Sequence, residues 1–371
     1  MDQKKFIILC SSVVGVVVVI VVAFLVINMF LPHYVTYEEA EQKIAEAARK
    51  YYQKHPEQLP TEDGKSSLSY GTLVSGEYIK PLNEILKDGA NCMVDVIVLK
   101  SGETYTYYTY LNCGVNYVTK ELYRQVLDDH PVVTTGSGLY QDENGNYFFR
   151  GKVKDNYVAF GKTKVEGEIV PALWQIISIE NNMIKMRATI SLGRNYAWDK
   201  RYNDSQDKTI GYNDFETSEM KDLLKQLEEG NELVGLEEQS KLVAKELCIG
   251  KRKLTDKTKT GATECKTLTQ DKYIYGLITP YEYLRASIDE NCAGVDDGNC
   301  SNFNYLAVSE EENWTLIGNK SNNYEVYYFS GKKFYVEKPK ARKDLYLTVN
   351  LNEFALYKEG KGTTEEPYVL R

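Results

Sequence analysis

Two cysteines bracket the stretch "CMVDVIVLKSGETYTYYTYLNC", residues 92–113, and the two-residue turn inside it leaves its flanks a single way to pair. Residues 93–99 are apolar and β-branched around Asp95. Residues 104–111 are aromatic and β-branched, ending on Leu111. Both compositions favour strands. Gly102 suits the first central position of a type II′ turn, with Glu103 second. Ser101 then faces Thr104. Counting outward puts Cys92 opposite Cys113 in a non-hydrogen-bonded pair, with Cα atoms about 4.5 Å apart and within reach of a disulfide. One face carries Val94, Val96, Val98, Tyr107 and Leu111 and is expected to meet a core. The other, with Asp95, Tyr108, Tyr110 and Asn112, is expected to be wetter.

A disulfide needs an oxidising compartment, and the N-terminal sequence points the same way. Residues 6–31, "FIILCSSVVGVVVVIVVAFLVINMFL", contain no charge. As a helix they would extend about 39 Å, enough to span a bilayer with tilt. Lys4 and Lys5 precede the run, and Glu38, Glu39 and Glu41 follow it. The positive-inside rule then predicts a cytoplasmic N-terminus and an extracellular remainder. The run is too long for the apolar part of a cleaved signal peptide, so 1–32 reads as a cytoplasmic stub and transmembrane signal anchor. Cys10 lies within it. The other six cysteines, Cys92, Cys113, Cys248, Cys265, Cys292 and Cys300, fall outside, which implies three bridges. Proximity in sequence favours 92–113, 248–265 and 292–300.

A chain of 371 residues exceeds the needs of one small core, so two folded units are expected. The fold class read from the sequence is α+β throughout. Residues 33–130 form a small α+β domain carrying the hairpin, 131–140 ("PVVTTGSGLY") a linker, and 141–371 a larger, mainly-β α+β domain. Thr36 and Glu39 make a capping box for a helix along Ala40, Ile44, Ala47, Ala48 and Tyr51. The polar "PEQLPTEDGKSS" reads as a loop, with short helices near 68–74 and 82–86. In the second domain, strands are expected over 147–153, 157–160, 173–180, 183–192, 325–329, 333–337 and 345–351. One helix presents Met220, Leu223, Leu224 and Leu227 and stops at Gly230. Another starts with Thr279 as N-cap, Pro280 at N1 and Glu282 at N3.

A net charge of −8 argues against nucleic acid as a partner. Three histidines against thirty tyrosines lower the expectation of metal or acid–base chemistry. No P-loop, GxGxxG, nucleophile elbow or HExxH is present. No catalytic residue, cofactor or metal ligand is therefore assigned, and the chain reads as a non-enzyme. The acidic segments "DENGNY" and "CAGVDDGNC" read as turns rather than calcium loops. The candidate ligand surface comes from two sources. Lys251, Arg252 and Lys253 stand in the basic loop "CIGKRKLTDKTKTGATEC", suited to anionic wall polymer or lipid headgroups, with a solvated, disulfide-pinned loop as the plainer reading. Trp198, Trp314, Tyr108 and Tyr110 are available for stacking on sugar rings. Trp174, inside "ALWQIIS", is assigned to the core.

The order apolar helix, amphipathic helix, "GTLVSGEYIKPL" and cysteine-bracketed hairpin resembles pilin-like surface proteins of Gram-positive gut bacteria. Further on, "NYVAFG", "ALWQIISI", "GYNDFETSEMKDLL", "YGLITPYEYLRAS", "NWTLIG" and "GTTEEPYVL" resemble an uncharacterised C-terminal module of related surface proteins. Their arrangement is similar to C-type-lectin-like domains of the formylglycine-enzyme type, which implies two helices and a long loop on a small sheet. The expectation is a cell-surface protein anchored by one membrane span, with a binding or adhesion module. Its partners would be the membrane, cell-wall polymer, glycan or another surface protein. The alternatives are a pilin-like structural subunit or envelope scaffold, and a glycan-acting surface enzyme.

Overall fold

A computed structural model describes residues 34–165, 168–193, 196–203, 210–230, 236–307, 311–331 and 333–371. The chain divides into two compact units, with the boundary between Thr119 and Lys120.

The first unit is one helix over a three-stranded antiparallel sheet. Helix α1 (Tyr37–Lys54) begins at the expected capping box: the Glu39 amide donates to Thr36 Oγ1 at 3.2 Å, and the Thr36 amide to Glu39 Oε2 at 3.1 Å. Its buried stripe of Ala40, Ile44, Ala47, Ala48 and Tyr51 packs on Leu68, Val96, Val98 and Leu111. Small alanines let the helix backbone lie close to the sheet. The strands are β1 (Gly64–Ser69), β2 (Met93–Ser101) and β3 (Thr104–Asn112), in the order β1–β2–β3. Short helices α2 (Tyr70–Ser75) and α3 (Leu82–Ile85) link β1 to β2.

The hairpin has the register derived above, from Ser101 opposite Thr104 out to Met93 opposite Asn112. Gly102 takes φ +56°, the left-handed value a type II′ turn asks of its first central residue. Cys92 and Cys113 are bridged, with Cα atoms 4.1 Å apart. Strand β1 differs from expectation, since it lies in the polar stretch read as a loop. Its pairing partner is the free edge of β2, from Gly64 opposite Lys100 to Ser69 opposite Asp95. Only Leu68 on this strand is buried, so hydrogen bonding rather than apolar content makes it a strand. Tyr108 also departs from expectation. It lies on the face away from α1 yet is buried, and Tyr110 beside it is half-buried.

The bridge closes the open end of the hairpin and removes loop entropy from the unfolded chain, worth about 3 kcal/mol for a loop of this length. Replacing both Cys92 and Cys113 by alanine is expected to cost the first unit about that amount in urea unfolding. A loss below about 1 kcal/mol would show that the bridge is dispensable.

The second unit begins earlier than the expected boundary at 130. Helix α4 (Leu122–Asp129) buries Leu122, Tyr123 and Val126 in its core, and the Leu122 amide donates to the Ala355 carbonyl at 2.8 Å. The segment expected as a linker is also structured. Val133 N–H donates to the Leu139 carbonyl at 2.8 Å as strand β4 (Gly138–Gln141) begins.

After β4 come β5 (Tyr147–Arg150), β6 (Tyr157–Val165), β7 (Glu168–Glu180), β8 (Met183–Ala188) and β9 (Tyr196–Ala197). Helices α5 (Glu219–Gly230) and α6 (Leu236–Gln239), strand β10 (Gly276–Leu277) and helix α7 (Pro280–Ala286) follow. The last strands are β11 (Asn313–Gly318), β12 (Val326–Ser330), β13 (Lys333–Glu337), β14 (Arg342–Lys343), β15 (Leu347–Leu351), β16 (Tyr357–Glu359) and β17 (Tyr368–Leu370). Nine strands form the main sheet, in the order β10–β15–β8–β7–β6–β17–β16, with the β4–β5 hairpin joined through β5 to β7. The strands β11–β12–β13 make a second sheet, and β9 pairs with β14. One core holds Trp174, Trp198, Trp314, Met186 and Val349 with α4 and α5. Another gathers Ile177, Tyr283, Leu284, Phe329 and Phe334 around the Cys292–Cys300 bridge.

The expected fold class is therefore corrected. Among the described residues no helix is long and apolar enough to cross a membrane. Helix α1 is amphipathic, with glutamates and lysines along its outer side. The span expected over 6–31 lies outside the described residues. The small sheet expected in the second unit is instead a nine-stranded one, because β10, β15, β16 and β17 extend it at both ends.

Candidate functional site

The loop from Cys248 to Cys265 is closed by a disulfide and stiffened by a buried ion pair. Arg252 and Glu264 have no solvent exposure. Arg252 Nη1 donates to Glu264 Oε1 at 2.8 Å, and Nη2 donates to the carbonyls of Asp256 and Thr258 at 3.1 and 2.5 Å. The same Glu264 oxygen accepts from the Tyr281 amide at 3.1 Å. Burial lifts the Glu264 carboxyl above its ordinary range, although Arg252 and the amide pull the other way. Gly250 lies where the two arms of the loop nearly touch. Its amide donates to the Glu264 carbonyl at 2.7 Å, and a Cβ there would come within 2.5 Å of the Thr263 carbonyl. No larger residue fits this crossing.

The loop forms one wall of a cleft of about 820 Å³. Asn213, Asp214 and Phe215 line it from the segment before α5, and Lys320 from the β11–β12 turn. That turn is fixed by the Asn213 side-chain amide, which donates to the carbonyls of Asn319, Asn322 and Glu325 at 2.7–2.9 Å. Backbone bonds between Arg252 and the Gly318–Lys320 strand end join the two walls.

Four lysines line the cleft: Lys251, Lys253, Lys266 and Lys320. The last three are exposed and have no carboxylate within ion-pair distance among the described residues. Lys251 is half-buried, 3.5 Å from Asn323 Oδ1, and burial lowers its pKa against the pull of Asp214. Both lining carboxylates are held by their own surroundings. Asp214 accepts from the Glu216 amide at 3.1 Å. Asp256 accepts from the Thr258 amide at 2.8 Å and from Thr263 Oγ1 at 2.7 Å. Burial opposes its ionisation, but those bonds and the Arg252 charge win, and its pKa falls to about 2. The carboxylates therefore brace the loop, while Lys253, Lys266 and Lys320 are exposed to solvent. The lining contains no His, Cys or Ser. Its lysines make it a site that attracts anions.

The structure separates the residues singled out from the sequence. Lys251 and Lys253 line the cleft, whereas Arg252 between them is a buried strut. The other two expected bridges, 248–265 and 292–300, are both formed. Trp198 and Trp314 are not ligand surface: their exposures are 0% and 1%. Trp198 Nε1 donates to the Thr315 carbonyl at 3.1 Å, and Trp314 Nε1 to the Tyr196 carbonyl at 2.9 Å. Strand β11 is buried along its whole length, closed by isolated bridges from Asn313 to Asp344 and from Asn319 to Arg252. Trp174 is in the core as expected, its Nε1 donating to the Phe160 carbonyl at 2.8 Å. Tyr108 and Tyr110 belong to the first unit and are not among the cleft's lining residues.

Sequence reasoning missed Lys266 and Lys320. Lys266 directly follows Cys265, so including the residues that flank the disulfide would have found it. Nothing local marks Lys320, which reaches the loop only through the pairing of its strand end with Arg252. In comparisons with known proteins, no protein family, no curated protein and no solved structure matches this chain.

Proposed function

We propose that the chain is a disulfide-stabilised, extracytoplasmic binding module that holds an anionic polymer of the cell envelope in the lysine-lined cleft, without catalysing a reaction. The observation that carries this reading is the imbalance in the cleft: four lysines line it, three of them exposed, while both lining carboxylates accept loop hydrogen bonds. Three disulfides support the compartment. Lysines on a rigid loop and a rigid turn suit a flexible chain of charges, since an ammonium is a point charge with no demand for planar geometry.

The test is binding of fluorescent dextran sulfate to the full chain, with neutral dextran as control. Affinity is expected to fall steeply with salt, as exposed charges are screened. Each of Lys253→Gln, Lys266→Gln and Lys320→Gln is expected to weaken binding about twofold to fivefold, the range of an exposed ion pair. Equal binding of neutral dextran, or indifference to all three substitutions, would rule out the cleft as an anion site. Self-association of the chain without polymer binding would instead favour a pilin-like structural subunit, a reading that the packing of α1 on a small sheet supports.

A further inference from the structure

Among the described residues of the second unit two arginines are wholly buried, and their surroundings differ. Arg252 has the Glu264 carboxylate and two carbonyls. Arg187, on β8 at the centre of the main sheet, gives Nη1 to the Leu306 carbonyl at 2.9 Å. Its Nε and Nη2 have no acceptor among the described residues. No carboxylate lies within ion-pair distance of it among the described residues. The guanidinium is 4.6 Å from the ring centre of Tyr346 and 5.9 Å from that of Phe329. The titratable groups facing it are Tyr283 from α7, Tyr305, Tyr346 and Glu311. Glu311 accepts the Tyr346 hydroxyl, and Tyr305 donates to the Ile176 carbonyl at 3.1 Å. The Tyr283 hydroxyl is buried and, like the Arg187 edge, unsatisfied.

A guanidinium stays charged even when burial lowers its pKa, and a buried charge needs a counter-charge. Nε and Nη2 form one edge of the guanidinium, the parallel pair of N–H groups that grips both oxygens of a carboxylate. We propose that this edge of Arg187, together with the Tyr283 hydroxyl, is an internal binding site for one small carboxylate-type anion of the size of formate or acetate. Arg187, Tyr283, Phe329 and Tyr346 are all buried, so an anion held there is shielded from bulk solvent, which favours a small one. The site is separate from the lysine cleft, whose lining includes none of these residues.

The experiment is thermal unfolding of the full chain, first dialysed into gluconate, a carboxylate too large for the site. Increasing concentrations of sodium formate are then compared with sodium gluconate at equal ionic strength. The unfolding midpoint of the second unit is expected to climb with formate by mass action and to stay flat in gluconate. Arg187→Met is expected to abolish the formate response. Should that variant fail to fold, Tyr283→Phe is measured instead, with apparent formate affinity expected to drop about threefold to tenfold, the loss of one hydrogen bond. A wild-type midpoint that does not distinguish the two salts overturns the proposal. So does a full formate response in Arg187→Met or, in its place, in Tyr283→Phe.

Discussion

Glu264→Leu is expected to destabilise the second unit by about 3–5 kcal/mol, the cost of stranding a buried partner charge. The substitution takes the 2.8 Å carboxylate partner from the fully buried Arg252 and leaves it only the longer Asp256 contact at 3.8 Å. For a unit of this size the melting midpoint should fall by roughly 10 °C. The double variant Arg252→Met, Glu264→Leu removes both charges and should recover much of the loss, because replacing a whole buried pair by apolar groups is often close to neutral. Recovery stays incomplete, since the Asp256 and Thr258 carbonyls lose their donor. The raised pKa of Glu264 points the same way, as burial costs its carboxylate more than Arg252 returns. Calorimetry of the three proteins decides the matter. A single variant within about 1 kcal/mol of wild type would mean that the pair does not hold the loop. Because Arg252 also joins the loop to the Gly318–Lys320 wall, dextran sulfate binding should weaken in the single variant even below its melting point.

Trp198→Ala is the second large effect, with an expected loss of about 3–5 kcal/mol from the cavity left by a fully buried indole. It also leaves the Thr315 carbonyl without its donor. Trp198→Phe keeps most of the apolar volume and should cost less. The two readings of this tryptophan separate cleanly in denaturant unfolding. A sugar-stacking platform would lose affinity and little stability. A core residue loses stability whatever the ligand. If Trp198→Ala unfolds at the wild-type midpoint, the indole is not part of the core.

Both effects sit at positions where local sequence misleads. Arg252 stands in a Lys-Arg-Lys run that has the appearance of a solvated charge cluster, yet its middle member turns inward to Glu264. Trp198 precedes Asp199 and Lys200, and Trp314 lies between Asn313 and Thr315, neighbours that suggest a surface. Their burial depends on β11 and β9, elements brought beside distant partners: Thr315 for Trp198, Tyr196 for Trp314. Likewise β1 is a strand because β2 offers an open edge, and its serines and lysine carry no apolar signal of it. Helix α4 joined the second unit through contacts with Ala355 and Tyr368, more than two hundred residues onward.

The sequence by itself determined what short-range geometry controls. The Thr36 and Thr279 capping boxes, the II′ turn at Gly102 and the hairpin register each depend on residues a few positions apart, and all three nearest-neighbour cysteine pairings followed from short separations. Only the tertiary structure decided which charges face solvent and which are struts, where one unit ends, and that Lys266 and Lys320 share a cleft with Lys251 and Lys253. The physical reason is range. Capping and turn energies are satisfied within one or two turns of chain, whereas burial depends on which remote strands close over a residue.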